Sequence, residues 1–289
     1  MFLSPIKVKR LGSLRSAIII AFAGSWSYPL ASGENLQLKL VSQDTLLQRL
    51  REGMVRNRDR KQAIAQLFEA AGCEVRMQPV DGSSANVICD SPGQTSNTIV
   101  VGGHLDFIDA GHGIVDDWSG ASMLASLYET LKSQSTRHSF EFVAFAGEEK
   151  GLLGSNRYIK ELKKTDHILP QAFVNLECLG MDAPKVWATR ADPNLLRRLI
   201  EISNAMHISL QGISVDKVGD DDSHPFLTKK VPVITIHSLT QENLPVLHSS
   251  KDKLDAINPS HYYDAYRLAA FYLKYLDVQL ASDVHTADR

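Results

Sequence analysis

From residue 98 onward, short apolar runs that read as buried strands alternate with longer stretches of helical period. Thr98–Gly102, Ser139–Ala146, Ala172–Leu176 and Val231–Ile236 are the strand-like runs, with Val186–Ala188 a shorter one. Between and after them, Ser119–Lys132, Gly151–Glu161, Asn194–Met206 and Ser260–Leu280 carry apolar residues at helical spacing. Strands buried on both faces read as continuous apolar runs, and strand–helix alternation favours parallel pairing through crossover helices. The pattern therefore predicts an α/β fold. It is a single domain with a mostly parallel, mixed central β-sheet flanked by helices on both faces. Upstream, residues 41–72 read as helical up to Gly72, and Cys73–Val80 with Ala85–Cys89 read as a hairpin turning at Asp81-Gly82-Ser83-Ser84.

The chain has 289 residues, 44% hydrophobic, enough for one sizeable core or at most two small domains. A formal net charge of -2 gives no reason to expect a nucleic-acid partner. No repeat or Pro/Gly-rich linker divides the chain. The first 32 residues differ from the rest. Lys7, Lys9, Arg10 and Arg15 form a basic start, Ala17–Ala23 is apolar, and small or turn-forming residues follow through Ser32. That order is the layout of a secretory signal, and the apolar run is too short for an ordinary membrane-spanning helix. We therefore expect a signal peptide over residues 1–32, a catalytic domain over 33–289, and export to a periplasm or the outside, with no membrane attachment after cleavage. Ala21-Phe22-Ala23 and the Ala31/Ser32 neighbourhood both offer cleavage sites. Of three cysteines, Cys73 and Cys89 lie in the hairpin. A disulfide and two buried thiols are both open readings.

The ionisable residues of interest follow the strands. His104 and Asp106 follow the strand at 98–102, Glu148 and Glu149 that at 139–146, Glu177 closes 172–176, and His248 lies beyond 231–236. Open α/β sheets bind ligands beyond the C-terminal ends of their strands. Asp106, two residues after His104, is placed to accept the second ring N–H of a metal-bound imidazole. Asp116-Asp117 opens a helix. Paired glutamates after a buried strand repel one another unless a cation compensates them, and they suit one metal ligand and one general base. Two histidines and three carboxylates, one of them bridging, suit zinc, with cobalt or manganese as substitutes.

The motifs Gly-Gly-His-Leu-Asp, Asp-Asp-x-Ser-Gly, Gly-Glu-Glu-x-Gly-Leu-x-Gly-Ser, Asn-Leu-Glu-x-x-Gly and His-Ser-Ser-x-Asp together resemble the bacterial leucyl aminopeptidase family of di-zinc exopeptidases. Glutamate carboxypeptidase-like enzymes and glutaminyl cyclases are wider relatives. The resemblance spans roughly residues 42–280. It implies a three-layer zinc-exopeptidase sandwich with two zinc ions. His104 and Glu177 would bind one, Glu149 and His248 the other, and Asp116 both, with Glu148 as general base and Asp106 as the partner of His104. It further implies a cis Asp116–Asp117 peptide, a monomer, and peptide substrates with a free N-terminus. Two positions depart from the pattern. Glu177 stands where many members carry Asp, and Leu247 stands where some carry a Tyr that steadies the oxyanion. Asp222-Ser223-His224-Pro225-Phe226 resembles a loop bordering the site, with His224 either lining the pocket or facing solvent. The other histidines are read as structural. Rival readings are a one-zinc glutaminyl cyclase, a carboxypeptidase for acidic peptides, and a non-catalytic binding protein. No Gly-x-Ser-x-Gly elbow supports a serine hydrolase, and no His-Glu-x-x-His supports a thermolysin-type protease.

Overall fold

The computed structural model describes residues 25–29, 35–164, 168–217 and 219–287. In chain order the elements are β1 (Ser25–Pro29), β2 (Asn35–Lys39), α1 (Gln43–Arg51), α2 (Arg60–Ala70), β3 (Val75–Asp81), β4 (Ser84–Ser91), β5 (Thr98–His104), α3 (Ser119–Leu131), β6 (Ser139–Phe145), α4 (Leu153–Lys164), β7 (Ala172–Leu176), β8 (Lys185–Val186), α5 (Pro193–Met206), β9 (Gln211–Gly212), α6 (Ser223–Leu227), β10 (Val233–His237) and α7 (Pro259–Ala287). Eight strands form one sheet in the order β3-β4-β6-β5-β7-β10-β8-β9. Its centre, β6-β5-β7-β10, is parallel; β3 and β4 pair antiparallel with their neighbours, and β8 is antiparallel to β10 but parallel to β9.

The continuous apolar runs are explained by burial on both faces. Along β5, Ile99 and Val101 enter one core and Val100 the other. Along β7, Ala172, Val174 and Leu176 face the first and Phe173 the second. The larger core lies under α1, α2, α3, α5 and α7; the smaller lies under α4 and α6. Phe173 and Phe226 stack with centroids 3.9 Å apart at 7° in the smaller core. Such stacking contributes about 1 kcal/mol beyond the area buried. Gly102 sits beneath this layer. A Cβ there would lie 2.6 Å from the Phe145 ring and 2.7 Å from that of Phe173, so only glycine fits.

One expectation changes. The helix read over 41–72 is broken into α1 and α2 by residues 52–59. Gly53 lies against Trp118, where a Cβ would approach the indole to 2.1 Å, and Arg60 opens the second helix fully buried. The chain turns there to admit Trp118, a tertiary demand that periodicity does not carry. The leader read over residues 1–32 lies outside the described residues except for Ser25–Pro29. That segment pairs antiparallel with β2, Trp26 opposite Leu38, and Arg267 stacks over the Trp26 ring at 4.8 Å. Cys73 and Cys89 form a disulfide across the start of the β3–β4 hairpin, their Cα atoms 6.0 Å apart, while Cys178 is free and buried.

Candidate metal centre

Each candidate ligand sits where an element ends at one rim of the sheet. His104 is the last residue of β5, Glu148 and Glu149 follow β6 across Gly147 (φ 75°), and Glu177 follows β7. Asp116 lies in the segment Ile114–Trp118 that leads into α3, and the Asp116–Asp117 peptide is cis, as the motif resemblance implies. His248 lies in the loop after β10 with φ 52°.

The side chains converge on Asp116. Its Oδ1 is 3.0 Å from His104 Nε2, which is 3.2 Å from Glu177 Oε1. Its Oδ2 is 3.1 Å from His248 Nε2, which is 3.2 Å from Glu149 Oε1. One carboxylate therefore faces two separate His–Glu pairs, grouped as the motif resemblance implies. His104 Nδ1–H donates to the backbone carbonyl of Asp106 at 3.0 Å, so Nε2 is the ring nitrogen that faces the centre.

Asp106 departs from its expected role. Its carboxylate lies 4.0 Å from His104 Nδ1 and instead accepts from the Gly147 N–H at 2.7 Å and the Glu148 N–H at 3.1 Å. The sequence spacing is right, but the loop turns the carbonyl to the ring and the carboxylate to the general-base loop. Asp117 was not singled out from the sequence. It accepts from the N–H groups of His104, Gly120 and Cys178 at 3.1, 3.0 and 2.9 Å, which ties three ligand-bearing segments together. Its neighbour Gly120 is obligatory, because a Cβ would lie 2.3 Å from the Leu176 carbonyl oxygen and 2.5 Å from the Asp117 carboxylate. A carboxylate occupied by backbone donors makes a poor metal ligand, so Asp116 is the better candidate of the pair.

The electrostatics ask for a cation. Burial, partly offset by His104 and reinforced by Glu177, Asp222 and Glu149, pushes the Glu148 carboxyl up to about 10. Burial and then Asp116 push Glu149 up to about 7. Burial also raises Glu177. The Asp116 contact, against burial, lifts His248 to about 9. Burial opposes charging of His104, yet Glu177 and Glu148 raise it well above its usual range. Asp116 is buried, but its contacts with the two imidazoles hold it below the usual carboxylate range. Protons thus gather where an ion would otherwise balance the acids. Glu149 Oε1 is buried and accepts no hydrogen bond, although His248 Nε2 stands beside it. A metal ion between the two atoms would supply the partner that Glu149 Oε1 lacks. The donor atoms of His104, Asp116 and Glu149 lie within 4.8 Å of one another, and the mixed imidazole–carboxylate set fits zinc.

A cleft of about 710 Å³ opens onto these acids, with Trp187, Val215, Leu239 and Leu247 as its apolar side. Trp187 is fixed by its Nε1–H to Asp216 at 2.8 Å and by Arg190 stacked 3.9 Å above its ring. Loop residues make this wall, and no motif flagged them. His224 does not line the cleft; it is exposed beside Asp220 at 3.4 Å, and it is Asp220 and Asp221 that border the cleft. His237 does line it, in a structural role. Its Nδ1 accepts from the Leu239 N–H and its Nε2–H donates to the Ile213 carbonyl, and burial holds it neutral at about 4. His138, bonded to Asp277 and Gln171, is structural too.

The profile of peptidase family M28 matches residues 86–273, a span that contains every candidate ligand. The chain belongs to peptidase family M28. Among curated members, Leupeptin-inactivating enzyme 1 of Streptomyces exfoliatus is 28% identical over 173 residues, covering 57% of this chain and 39% of the relative. Probable leucine aminopeptidase 2 of Aspergillus fumigatus is 32% identical over 124 residues, covering 41% and 25%. This chain thus spans well under half the length of those relatives. The crystal structure of the LapA aminopeptidase of Legionella pneumophila superposes with a TM-score of 0.74 at 19% identity, covering 82% of this chain and 72% of that one. Glutaminyl cyclase of Porphyromonas gingivalis superposes with a TM-score of 0.67 at 15% identity, covering 81% and 98%. The M28 fold, a single α/β domain around a mixed sheet, is the one described above. No helix among the described residues is long and apolar enough to cross a membrane.

Proposed function

We propose that this M28 chain is an exported, monomeric two-zinc aminopeptidase. The observation that carries the reading is the division of Asp116, whose Oδ1 faces His104 and Glu177 and whose Oδ2 faces His248 and Glu149. A single carboxylate between two His–Glu pairs suits two ions held about 3.5–4 Å apart. When bound, the zinc supplies Lewis-acid polarisation of the scissile carbonyl and makes water acidic enough to lose a proton near neutrality.

The protein's own groups do the rest. Glu148 lines the cleft, its Oε2 4.0 Å from His104 Nε2, and with the surrounding acids balanced by bound zinc it would be ionised and take the proton from the attacking water. Its place in a buried, acid-rich setting lets it keep that proton long enough to hand it to the leaving amine. Asp106, by holding the Gly147 and Glu148 N–H groups, fixes the base. The acids around the cleft favour a substrate's free, positively charged α-amine, and Trp187, Val215, Leu239 and Leu247 receive the side chain of the first residue. Leu247 has no hydroxyl with which to steady the oxyanion, so another donor or the bound metal would have to serve. Export rests on the layout of residues 1–32, and the Cys73–Cys89 disulfide suits an oxidising compartment.

The test offers zinc-loaded protein one peptide in free and N-acetylated forms, with and without a chelator. Stepwise loss of N-terminal residues from the free peptide alone, stopped by chelation, is the expected result. Cleavage from the carboxyl end, or cyclisation of an N-terminal glutamine by protein holding one zinc, would overturn it.

A further inference from the structure

The two imidazoles at the centre are held in different ways. His104 lies on a central strand, and its Nδ1 is fixed by the Asp106 carbonyl. His248 lies in a loop with its side chain half exposed, and among the described residues no group is hydrogen-bonded to its Nδ1. Metal-bound histidines are ordinarily oriented through their second nitrogen. With no protein group on Nδ1, the protein orients His248 through its backbone, and that backbone has φ 52°, a left-handed conformation that persists only where the surroundings hold it.

Asp252 supplies that hold. Its own N–H donates to the Ser249 carbonyl at 3.0 Å, closing the turn Ser249–Asp252 that directly follows His248. Its carboxylate crosses to the other ligand loop, where Oδ1 accepts from the Val115 N–H at 2.7 Å and Oδ2 from the Asp116 N–H at 3.3 Å. Its carbonyl accepts from the His112 N–H at 2.8 Å. The side chain is 3% exposed as a residue, so these bonds are shielded from water. Gly111 completes the seam. A Cβ there would lie 2.2 Å from the Ser249 carbonyl oxygen, so the loops touch backbone to backbone. Behind the seam the buried Arg60 guanidinium reaches the carbonyls of Leu105, Gly53 and His112 and stacks on Phe107 at 4.3 Å.

We infer that Asp252 is a positioning residue that sets His248 in register with the shared carboxylate of Asp116, and that the His248 side of the metal centre depends on this bond across 136 residues. The inference rests on the two-zinc reading above.

The test measures zinc per chain after equilibrium dialysis against graded chelator, together with thermal melts, for wild type, Asp252→Asn, Gly111→Ala and Asp277→Asn. Asp252→Asn turns an amide N–H toward backbone donors, and Gly111→Ala wedges the same loops apart while leaving Asp252 intact. Asp277 is the matched control. It too is a buried aspartate, accepting from the Arg137 and His138 N–H groups, but at the start of β6, the opposite rim of the sheet. Asp252→Asn and Gly111→Ala should each release one of two zinc ions at roughly 10- to 100-fold lower chelator than wild type. Asp277→Asn should melt earlier yet keep its zinc like wild type. If Asp252→Asn does not fold, Gly111→Ala decides alone. Wild-type zinc retention in both seam variants, or equal zinc loss in Asp277→Asn, overturns the inference. A wild type that binds no zinc brings down the metal reading itself, and this inference with it.

Discussion

Removing the metal should make the protein's stability depend on pH in a direction the centre dictates. Glu148 and Glu149 ordinarily titrate near 4.5 and stand at about 10 and about 7 in the metal-free fold, while His248 rises from 6.5 to about 9. Between pH 5.5 and 7.5 the unfolded chain has released its glutamate protons and the folded chain still holds that of Glu148. Stability changes with pH in proportion to the protons bound unfolded minus those bound folded, so it falls as pH rises. A raised imidazole acts in the same sense, its contribution being complete below 6.5 and lost through about 9. Asp116, held low, contributes stability that is lost only as pH falls below the usual carboxylate range, outside this window. Glu149 is coupled to Glu148 by mutual repulsion and half-exposed His248 is screened by water; Asp222, which burial raises to about 8, adds to the fall, and His237, which burial holds at about 4, opposes it below 6.5, so the net is taken as the one proton of Glu148. One proton over two pH units is about 3 kcal/mol. For a domain of this size that lowers the melting temperature by roughly 6–12 °C. Calorimetry at pH 5.5 and 7.5 and fixed ionic strength, with chelator, should record this drop. Zinc should shrink it, and Glu148→Gln should largely abolish it. A chelated protein that melts no earlier at pH 7.5, or a Glu148→Gln variant with the full drop, would refute the reasoning.

Three further outcomes follow from the same geometry. Glu148→Gln should lower kcat on an N-terminally free peptide by about 10²- to 10⁴-fold at unchanged zinc content, measured by initial rates and metal analysis. Replacing Cys73 and Cys89 together by Ser opens a link across 16 residues and should lower unfolding free energy by about 3 kcal/mol in urea titrations, with kcat retained, because the disulfide lies in the β3–β4 hairpin away from the ligand rim. Intact-mass analysis of the chain expressed with its proposed leader should find Trp26 retained, with cleavage at Ala21-Phe22-Ala23 rather than near Ser32, because Ser25–Pro29 pairs with β2.

The central strands and the five ligands were legible because both reflect steep gradients. A strand buried on both faces admits only apolar residues, so the abrupt appearance of His104, Glu148 and Glu177 at strand ends stands out. Contacts through the backbone leave no such mark. Asp117 and Asp252 act by accepting peptide N–H groups, and any segment supplies those. Asp106 illustrates the same limit, since spacing set which residue serves the centre but not which of its oxygens meets the ring. The break between α1 and α2 arises from the Trp118 indole pressing on Gly53, some 65 residues away along the chain. The cleft wall is built from Trp187, Val215, Leu239 and Leu247, which come from separate connections after β8, β9 and β10, so only folding unites them.

The sheet's two borders bear on how the protein behaves in a crowd of its own copies. An open strand margin invites a neighbour's strand to continue the ladder, the first step toward fibres. At one margin β3 carries Pro79, which has no N–H to offer, and its register slips between Pro79 and Asp81. Charged Arg76 stands on the same strand, tied to Asp90 at 3.2 Å. At the other margin β9 is two exposed residues, Gln211 and Gly212, too short to template a partner. Guarding both margins of the eight-stranded sheet should limit strand-to-strand association at high concentration, and substituting Pro79 with Val is the change that would weaken that guard.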